Sequence, residues 1–417
     1  MEWRYFDFER DQAAAARIWH EIGWLNQKDA PSREGMAAYT QSGPGYVALV
    51  HGDPGCFVFR CDGTIRHRND DLPLAAITGV ATARNGRKQG LALELTARAL
   101  AEAADEGAAV AGLSTFEQGF YDRIGFGTCA YSHYWRFDPD RLTVSDKVRP
   151  PHMLRTDHVD AIHDARLQRR RPHGAVSLTS VGQTRSTILR SGDGFGLGYF
   201  DEGTETPSHC LWCTPQETTR GPYSIEFMVW KTRAQFLELM GLIKQWGDQV
   251  RLVTMTEPAG IQMQDLIDRP TQHFWSTVGG EYTSGCRAHA NFQYRIVDLA
   301  TCIAATHLTG PEVAFNLTLH DPMSERPRDG VGQTSGYWKG LSGDYRMLLG
   351  PESQIKVGHE AALETLEASV GAFTRLWLGV GSATALSMTD RLSGPPALME
   401  ALDEVLRLPT PQTDWFY

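Results

Sequence analysis

Residues 77–107, ITGVATARNGRKQGLALELTARALAEAADEG, decide the fold of the first part of the chain. The apolar run up to Val80 is typical of a strand, residues 84–90 are polar, basic and rich in glycine, and from Leu91 apolar residues recur at helical spacing. The stretch therefore predicts a strand, a basic turn and an amphipathic helix. Because such a turn presents free backbone N–H groups at the positive end of a helix, it predicts a binding site for a phosphate-like anion.

Length and composition limit the class of protein. A chain of 417 residues, 41% hydrophobic and 22% charged, is long enough for two or three globular domains. It has no apolar run of the ~20 residues that a membrane span needs and no signal-peptide pattern at its start. Seven scattered cysteines fit a reducing cytoplasm, and a net charge of −10 argues against a nucleic-acid partner. We therefore expect a cytoplasmic protein that binds neither nucleic acid nor membrane.

The order of predicted elements indicates an α/β fold for the first domain, residues 1–145. Strands at 46–50 and 56–60 precede the opening stretch, and strands at 108–113 and 131–136 follow it. A segment rich in proline and charge then reads as a linker. Alternation of strands and helices implies a layered α/β structure.

Two further regions complete the predicted α/β (α+β) architecture. In residues 146–287 a strand at 224–230 leads into a helix at 232–246 without an intervening glycine, as in a copy of the first fold that has lost its anion turn. Residues 288–417 start with a strand and a helix, and helices are predicted at 359–376 and 397–406. The aromatic ending TDWFY is expected to dock on the protein.

The basic turn carries a recognisable motif. Arg87, Gly90 and Ala92 match R-x-x-G-x-A, the pyrophosphate-binding signature of the GNAT acetyltransferases. The alternative is an ordinary solvated turn between strand and helix. The position after a strand and before an amphipathic helix, flanked by Arg84 and Lys88, favours the phosphate site.

A second motif follows one strand later. In FYDRIGFG, residues 120–127, Tyr121 occupies the place where a tyrosine of such enzymes lies beside the thioester sulfur and protonates the departing thiolate. The alternative is a packed aromatic with a wet hydroxyl. The spacing between this motif and the turn favours the catalytic interpretation.

The motifs VATARNGRKQG, EQGFYDRIGFG and RIVDL, together with the aromatic C-terminus, resemble the enhanced-intracellular-survival (Eis) acetyltransferases along nearly the whole chain. The resemblance implies tandem GNAT folds, of which the N-terminal one is active and the central one degenerate, followed by a sterol carrier protein-like domain. It also implies a homohexamer, acetyl-CoA as co-substrate and a small-molecule amine as acceptor.

The resemblance implies roles for individual residues. Tyr121 is the general acid, and the α-carboxylate of Tyr417 is the general base, held still by Trp415 and Phe416. The remaining residues are expected to bind the cofactor: Val80 and Thr82 at the end of the strand, Arg87, Lys88, Gly90, Leu91 and Ala92 in the turn, and Glu117 in the second motif. No acidic residue is identified for holding a cationic acceptor.

Other interpretations remain open at this point. The chain could be a binding protein on a degenerate acetyltransferase scaffold with an apolar ligand or partner in its C-terminal domain, or an enzyme that uses a longer acyl-CoA. The pair Cys210 and Cys213 beside His209 has the spacing of half a zinc site, but no second pair accompanies it, so no metal is expected. Because no cysteine or serine lies in a nucleophile motif, the acetyl group is expected to pass directly to the amine.

Overall fold

The computed structural model describes residues 1–25, 30–115, 117–270, 280, 282–326 and 338–417. In chain order the described strands are β1 Trp3–Tyr5, β2 Gly45–Val50, β3 Asp53–His67, β4 Asp70–Thr82, β5 Val110–Ser114, β6 Gly127–Thr128, β7 Ser132–Phe137, β8 His152–Leu154, β9 Val176–Leu178, β10 Phe195–Tyr199, β11 His209–Pro215, β12 Tyr223–Val229, β13 Val253–Thr256, β14 Gly285–His289, β15 Phe292–Ile296, β16 Val313–His320, β17 Gly343–Leu349, β18 Gln354–Val357, β19 Thr365–Ser369 and β20 Leu392–Ser393.

The described α-helices are α1 Phe8–Glu21, α2 Ala30–Thr40, α3 Leu91–Asp105, α4 Val159–Gln168, α5 Val181–Arg190, α6 Arg233–Gln245, α7 Leu299–Ala304, α8 Val370–Trp377, α9 Ala383–Thr389 and α10 Pro396–Val405. The predicted helices at 232–246 and 397–406 correspond to α6 and α10. None of the helices described combines the length and the apolar character that crossing a bilayer would require.

The first sheet has the strand order β1-β2-β3-β4-β5-β15-β6, and β9 pairs with β3 outside this order. Within it β4 and β5 are parallel, while the other described pairs are antiparallel. Helix α3 leaves the end of β4 and buries Leu93, Ala97 and Leu100. The predicted strand, turn and amphipathic helix are therefore confirmed.

The second sheet repeats this order with different strands. It runs β8-β10-β11-β12-β13-β7-β14, and here β12 and β13 form the parallel pair. Helix α6 follows β12 as α3 follows β4. A smaller third sheet, β18-β17-β16-β19-β20, lies in the last part of the chain with α8, α9 and α10.

Two strands belong to other sheets than the sequence order suggests. The strand predicted at 131–136 as part of the first layer is β7, which pairs with β13 and β14 in the second sheet. Its place in the first sheet is taken by β15, which lies between β5 and β6. Local alternation identifies a strand but not its partners, because any open sheet edge satisfies the backbone equally. The boundaries at 145 and 288 stay predictions, and strands pair across both.

The predicted helix at 359–376 is wrong in its first half. Residues Thr365–Ser369 form β19, which pairs in parallel with β16, and only Val370–Trp377 are helical. Leu366 and Ala368 alternate into the core as strand residues, whereas Val370 and Phe373 are spaced for a helix. Ser369 separates the two elements because its side chain caps α8.

The first and third sheets share a buried core, and helices connect the first and second sheets. One hydrophobic cluster contains residues of β3, β4 and β15 from the first sheet and of the helices α8, α9 and α10. It also includes Trp415 and Tyr417 at the end of the chain. On the opposite side α2 packs against α5, so that the first and second sheets also meet through helices. The candidate site lies where these contacts converge.

Candidate active site

The basic turn leaves the N-terminus of α3 open. Gly90 is the N-cap residue with a left-handed backbone, φ 78°, and it has no side chain that could cap the helix. A Cβ at Gly90 would meet no atom within 4 Å, so the requirement for glycine is conformational and the space above the helix is free. Arg87 and Lys88, which precede the helix, are exposed, and Lys88 is also left-handed, φ 61°. An uncapped helix N-terminus next to exposed cations has the features of an anion site.

Strand β4 bulges before it reaches the turn. Phe57 pairs with Ala81 and Phe59 with Thr78, so that Gly79 and Val80 together stand opposite one residue of β3. Gly79 has φ 59°, and a Cβ there would lie 2.9 Å from the ring of Phe59. A bulge changes the direction of neighbouring backbone and side chains, and such bulges are frequent beside active sites.

The parallel strands β4 and β5 separate at the level of this bulge. Their pairing runs from Leu74↔Val110 to Ile77↔Leu113, after which β5 ends at Ser114 while β4 continues. Beyond Ile77 no pairing joins β4 to β5 among the described residues, which leaves room for a ligand to enter between the two strands.

Tyr121 starts a one-turn 3-10 helix, Tyr121–Ile124, which ends at Gly125 with φ 85°. The tyrosine is 7% exposed. Burial, and to a smaller extent Cys56 and Glu117 nearby, raise its pKa above the usual value. The phenol therefore keeps its proton at neutral pH, as a general acid must.

The end of the chain is docked by specific contacts. Arg169 donates to both carboxylate oxygens of Asp414, at 2.8 and 2.7 Å, and the guanidinium of Arg166 lies 3.7 Å from the ring centre of Trp415. Glycine is required where the tail passes, because a Cβ at Gly174 would lie 2.5 Å from the backbone nitrogen of Gln412. The tail is therefore a packed part of the structure.

The last side chain lies inside the protein. Tyr417 is 7% exposed, and its hydroxyl lies 3.4 Å from that of Tyr294 on β15, which in turn lies 2.6 Å from the Thr413 hydroxyl. A Cβ at Gly112 of β5 would come within 2.5 Å of the Tyr417 hydroxyl oxygen. Of the two residues expected to hold the tail, Trp415 is buried, whereas Phe416 is 66% exposed and only edges against Phe292.

A cavity of about 680 Å³ brings these parts together. Val80, Tyr121 and Tyr417 all line it, and so do Leu113 and Thr115 at the end of β5. Its other walls come from α1, from α5 and from the second sheet. The described lining residues not yet named in this paragraph are Trp19, Trp24, Tyr39, Ile77, Thr78, Gly79, Ser114, Gln183, Ser186, Thr187, Arg190, Ser191, Thr214, Glu226, Asn291 and Phe416.

The remaining predicted cofactor residues lie outside this cavity. Arg87, Lys88, Gly90, Leu91 and Ala92 form the turn and the start of α3 described above. Thr82, at the end of β4, places its hydroxyl 3.2 Å from the buried sulfur of Cys56. Glu117 is exposed, and the hydrogen bonds assigned to it join its backbone to the Thr115 hydroxyl. The structure thus brings Val80, Tyr121 and Tyr417 to one cavity and leaves Glu117 apart from it.

Glu226 is a cavity residue that the sequence did not identify. On β12, Ile225 pairs with Cys213 and Phe227 with Trp212, so Glu226 is the extra residue of a bulge. It has the one carboxylate side chain among the described residues that line the cavity. Glu226 keeps exposed surface, and partial desolvation by the cavity wall raises its pKa, an effect that the neighbouring Thr214 hydroxyl opposes. A lone glutamate in a strand gives no sequence signal that would separate it from a surface residue.

The cavity also holds a cation and several aromatic rings. Arg190 of α5 lies 5.6 Å from the ring centre of Trp19 and donates to the carbonyl of Trp24. Trp19 and Tyr39 pack edge to face, with ring centres 5.1 Å apart. Aromatic faces and carboxylates are the groups that recognise an alkylammonium ion in proteins.

No metal site is evident in the part of the chain that the structure describes. Within those residues no three His, Cys, Asp or Glu side chains are grouped as ligands. Cys210 and Cys213 are both buried in β11, with thiol pKa values raised by burial. His209 instead lies 3.1 Å from the carboxylate of Glu238.

Residues 54–129 match the model of the acetyltransferase (GNAT) domain. The range contains β4 from Asp70 to Thr82, the open turn, α3 and Tyr121. The chain contains a GNAT acetyltransferase domain. No curated protein matches the sequence significantly.

Solved structures share the whole fold. A conserved protein from Enterococcus faecalis described as a probable N-acyltransferase has a TM-score of 0.77 at 18% identity, covering 100% of this chain and 99% of that one. A GCN5-related N-acetyltransferase from Anabaena variabilis has a TM-score of 0.77 at 15% identity, with 100% of both chains covered. Eis1 from Mycobacterium abscessus has a TM-score of 0.74 at 16% identity, again with 100% of both chains covered. The predicted resemblance to Eis proteins is confirmed in fold.

Proposed function

We propose that this GNAT protein is an acetyl-CoA-dependent N-acetyltransferase that acts on primary amines of a cationic small molecule or a lysine side chain. The observation that carries the proposal is the single cavity lined by Val80, Tyr121 and Tyr417 at the place where β4 and β5 separate. It brings the bulged part of β4 together with the docked end of the chain.

The donor fits the first sheet. Backbone N–H groups of Arg87, Lys88, Gly90 and Leu91, with Ala92 completing the turn, would hold the pyrophosphate of acetyl-CoA at the open end of α3. The free edge of β4 around Val80 and Thr82 would hold the pantetheine arm and the acetyl carbonyl. Bound acetyl-CoA supplies an activated acetyl thioester. These contacts would position the donor, and other groups would transfer the protons.

Proton transfer is assigned to Tyr121 and to the end of the chain. The amine nitrogen forms a bond to the acetyl carbon while the carbon–sulfur bond breaks. The α-carboxylate of Tyr417 takes the proton that the amine loses, and the Tyr121 phenol gives its proton to the departing thiolate. The position of Tyr121 in the cavity and the docking of Asp414 and Trp415 support these two roles.

The acceptor is assigned to the wall formed by the second region. Glu226 would bind an ammonium group of the acceptor through a charge-assisted hydrogen bond. The carboxylate side chain and the terminal carboxylate together favour a cationic molecule.

The larger architecture is also part of the proposal. The second sheet repeats the strand order of the first, which supports a central, degenerate GNAT-like domain. We assign the third sheet to a sterol carrier protein-like domain, and we retain the homohexamer and the cytoplasmic location as predictions from the resemblance and the composition.

The test follows free thiol when the protein is incubated with acetyl-CoA and a panel of polyamines, aminoglycosides and lysine peptides. Thiol release that depends on the amine supports the acetyltransferase. Binding of acetyl-CoA without release for any amine would contradict it and favour the alternative of a binding protein. Repeating the assay with propionyl-CoA and longer acyl-CoA thioesters separates donors by chain length.

A further inference from the structure

Strand β15 contacts the turn that carries Tyr121 at two points. The side-chain amide of Gln293 donates to the Asp122 carboxylate at 2.7 Å, and the guanidinium of Arg295 donates to the carbonyl of Ile124. Residues two apart in a strand point to the same face, so both side chains reach the turn from one side. Asp122 and Ile124 lie at the two ends of the segment that follows Tyr121.

Arg295 is itself fixed from the opposite side. Its Nη2 lies 2.7 Å from Oδ2 of Asp321, and neither side chain has exposed surface. The same carboxylate accepts from the backbone N–H groups of Leu341 at 2.8 Å and Met323 at 2.9 Å. The carboxylate is therefore fully engaged, and the guanidinium has a rigid partner.

Packing alone does not require this ion pair. A buried ion pair often contributes little net stability, since well-packed apolar side chains of similar volume would serve as well. What a guanidinium adds is a planar fork that donates to a carboxylate and to a carbonyl at the same time. A Cβ at Gly125 would lie 2.8 Å from Nη1 of Arg295, so the end of the turn fits closely against this fork.

We propose that Gln293 and Arg295, the latter held by Asp321, are positioning residues that fix the Tyr121 turn at the reacting centre. This inference rests on the proposed role of Tyr121 as the acid. Strand β15, from the last third of the chain, would then do more than pair with β5 and β6: it would also hold the turn that carries Tyr121.

The decisive variant is Arg295→Lys. A lysine retains the positive charge beside Asp321 but, as a point charge on a flexible stem, it does not hold the carboxylate and the Ile124 carbonyl in a fixed geometry. We expect kcat to fall about tenfold, because small misplacement of a catalytic group is costly, while the Kd for acetyl-CoA stays unchanged. Arg60→Lys is the matched control: Arg60 is also buried and pairs with Asp62 and Glu106, away from the cavity, and its kcat should not change.

A double-mutant cycle separates positioning from general stability. If Arg295 acts through Tyr121, Arg295→Lys should add almost nothing to the loss already caused by Tyr121→Phe. Gln293→Met removes the second contact without burying a charge, and its loss should vanish in the Tyr121→Phe background in the same way. This second variant keeps the test available if Arg295→Lys does not fold.

The outcomes separate the positioning role of β15 from the proposed acetyltransferase function. Full additivity of either folded variant with Tyr121→Phe would overturn the inference and leave the proposed function intact. An unchanged kcat in both variants would do the same. Absence of thiol release by the wild-type protein with every amine would overturn the proposed function, and the inference would fall with it.

Discussion

The first and second sheets have a similar strand order, but the helix that follows the bulged strand begins differently in each. In the first, Gly90 leaves the N-terminus of α3 open. In the second, the side chain of Thr232 accepts from the backbone of Gln235, and the side chain of Gln235 accepts from the backbone of Thr232, which forms a capping box on α6. The same fold can therefore leave the first backbone N–H groups of this helix available to an anion, or pair them with side chains of the protein. Two or three residues at the helix N-terminus make the difference.

The two sheets also differ in what their bulges present to the cavity. In β4 the bulge lies at Gly79 and Val80 and leaves backbone groups facing the opening between the strands. In β12 the bulge lies at Glu226 and directs a carboxylate to the same cavity. In the proposed function, the first sheet binds the donor and the second sheet helps to recognise the acceptor.

The largest effect is expected at Tyr121, the proposed general acid beside the first sheet. Tyr121→Phe removes the phenolic proton and should lower kcat about a hundredfold, the usual contribution of a general acid, without weakening acetyl-CoA binding. Steady-state thiol release and a binding titration give both numbers. Tyr131→Phe, at a residue that is 65% exposed, is the control and should behave as wild type. An unaltered rate for Tyr121→Phe would reduce this residue to packing.

A second variant makes the first helix end resemble the second. Gly90→Asp introduces a carboxylate that tolerates a left-handed backbone and occupies the N–H groups of α3. We expect the Kd for acetyl-CoA to rise roughly thirtyfold, the equivalent of about 2 kcal/mol of charge interaction at a helix terminus. Gly107→Asp, at the left-handed glycine that follows the other end of α3, should leave the Kd unchanged. Equal effects of the two variants would remove the turn from donor binding.

A third variant tests the contribution of the second copy. Glu226→Gln should lower kcat/KM for 1,5-diaminopentane about tenfold and change it little for n-pentylamine, because a charge-assisted hydrogen bond to the second ammonium is lost. Glu205→Gln, on an exposed loop away from the cavity, is the control. An unchanged ratio between the two amines would exclude Glu226 from acceptor recognition.

The same carboxylate gives a pH dependence with a definite sign. Partial desolvation by the cavity wall raises the pKa of Glu226, so on acidification it loses its charge at a higher pH than an ordinary glutamate does. The preference for the diamine should be complete above this raised pKa and fade as pH falls through it. In Glu226→Gln the ratio of kcat/KM values for the two amines should not vary with pH over the same range. A wild-type ratio that is equally flat would contradict this assignment.

The smallest effect is expected at the capped helix. Thr232→Ala removes one half of the capping box of α6 and should lower the free energy of unfolding by about 1 kcal/mol. Because this helix end binds no donor in our account, the Kd for acetyl-CoA should not change. Thermal melting and the same binding titration measure both quantities. Weaker acetyl-CoA binding in this variant would mean that the second copy also contributes to the donor site.

The sequence predicted local elements well and long-range partners poorly. The strand, the turn and α3 follow from spacing and glycine, which act over a few residues. The membership of β7 and β15 could not be predicted, since the alternation within a strand does not encode which edge it pairs with. Val80, Tyr121 and Tyr417 were singled out by motif and resemblance. Glu226 was not, because its importance comes from a bulge and a cavity wall that only the packed structure creates.

The central claim is that the end of the chain completes a site built by the first sheet. Its most direct test is to append two glycines after Tyr417 and to measure amine-dependent thiol release and acetyl-CoA affinity on the same preparation. We predict that release disappears, because the terminal carboxylate then lies two residues beyond Tyr417, the residue that lines the cavity, while the Kd for acetyl-CoA is unchanged. Turnover equal to that of the unmodified protein would contradict it.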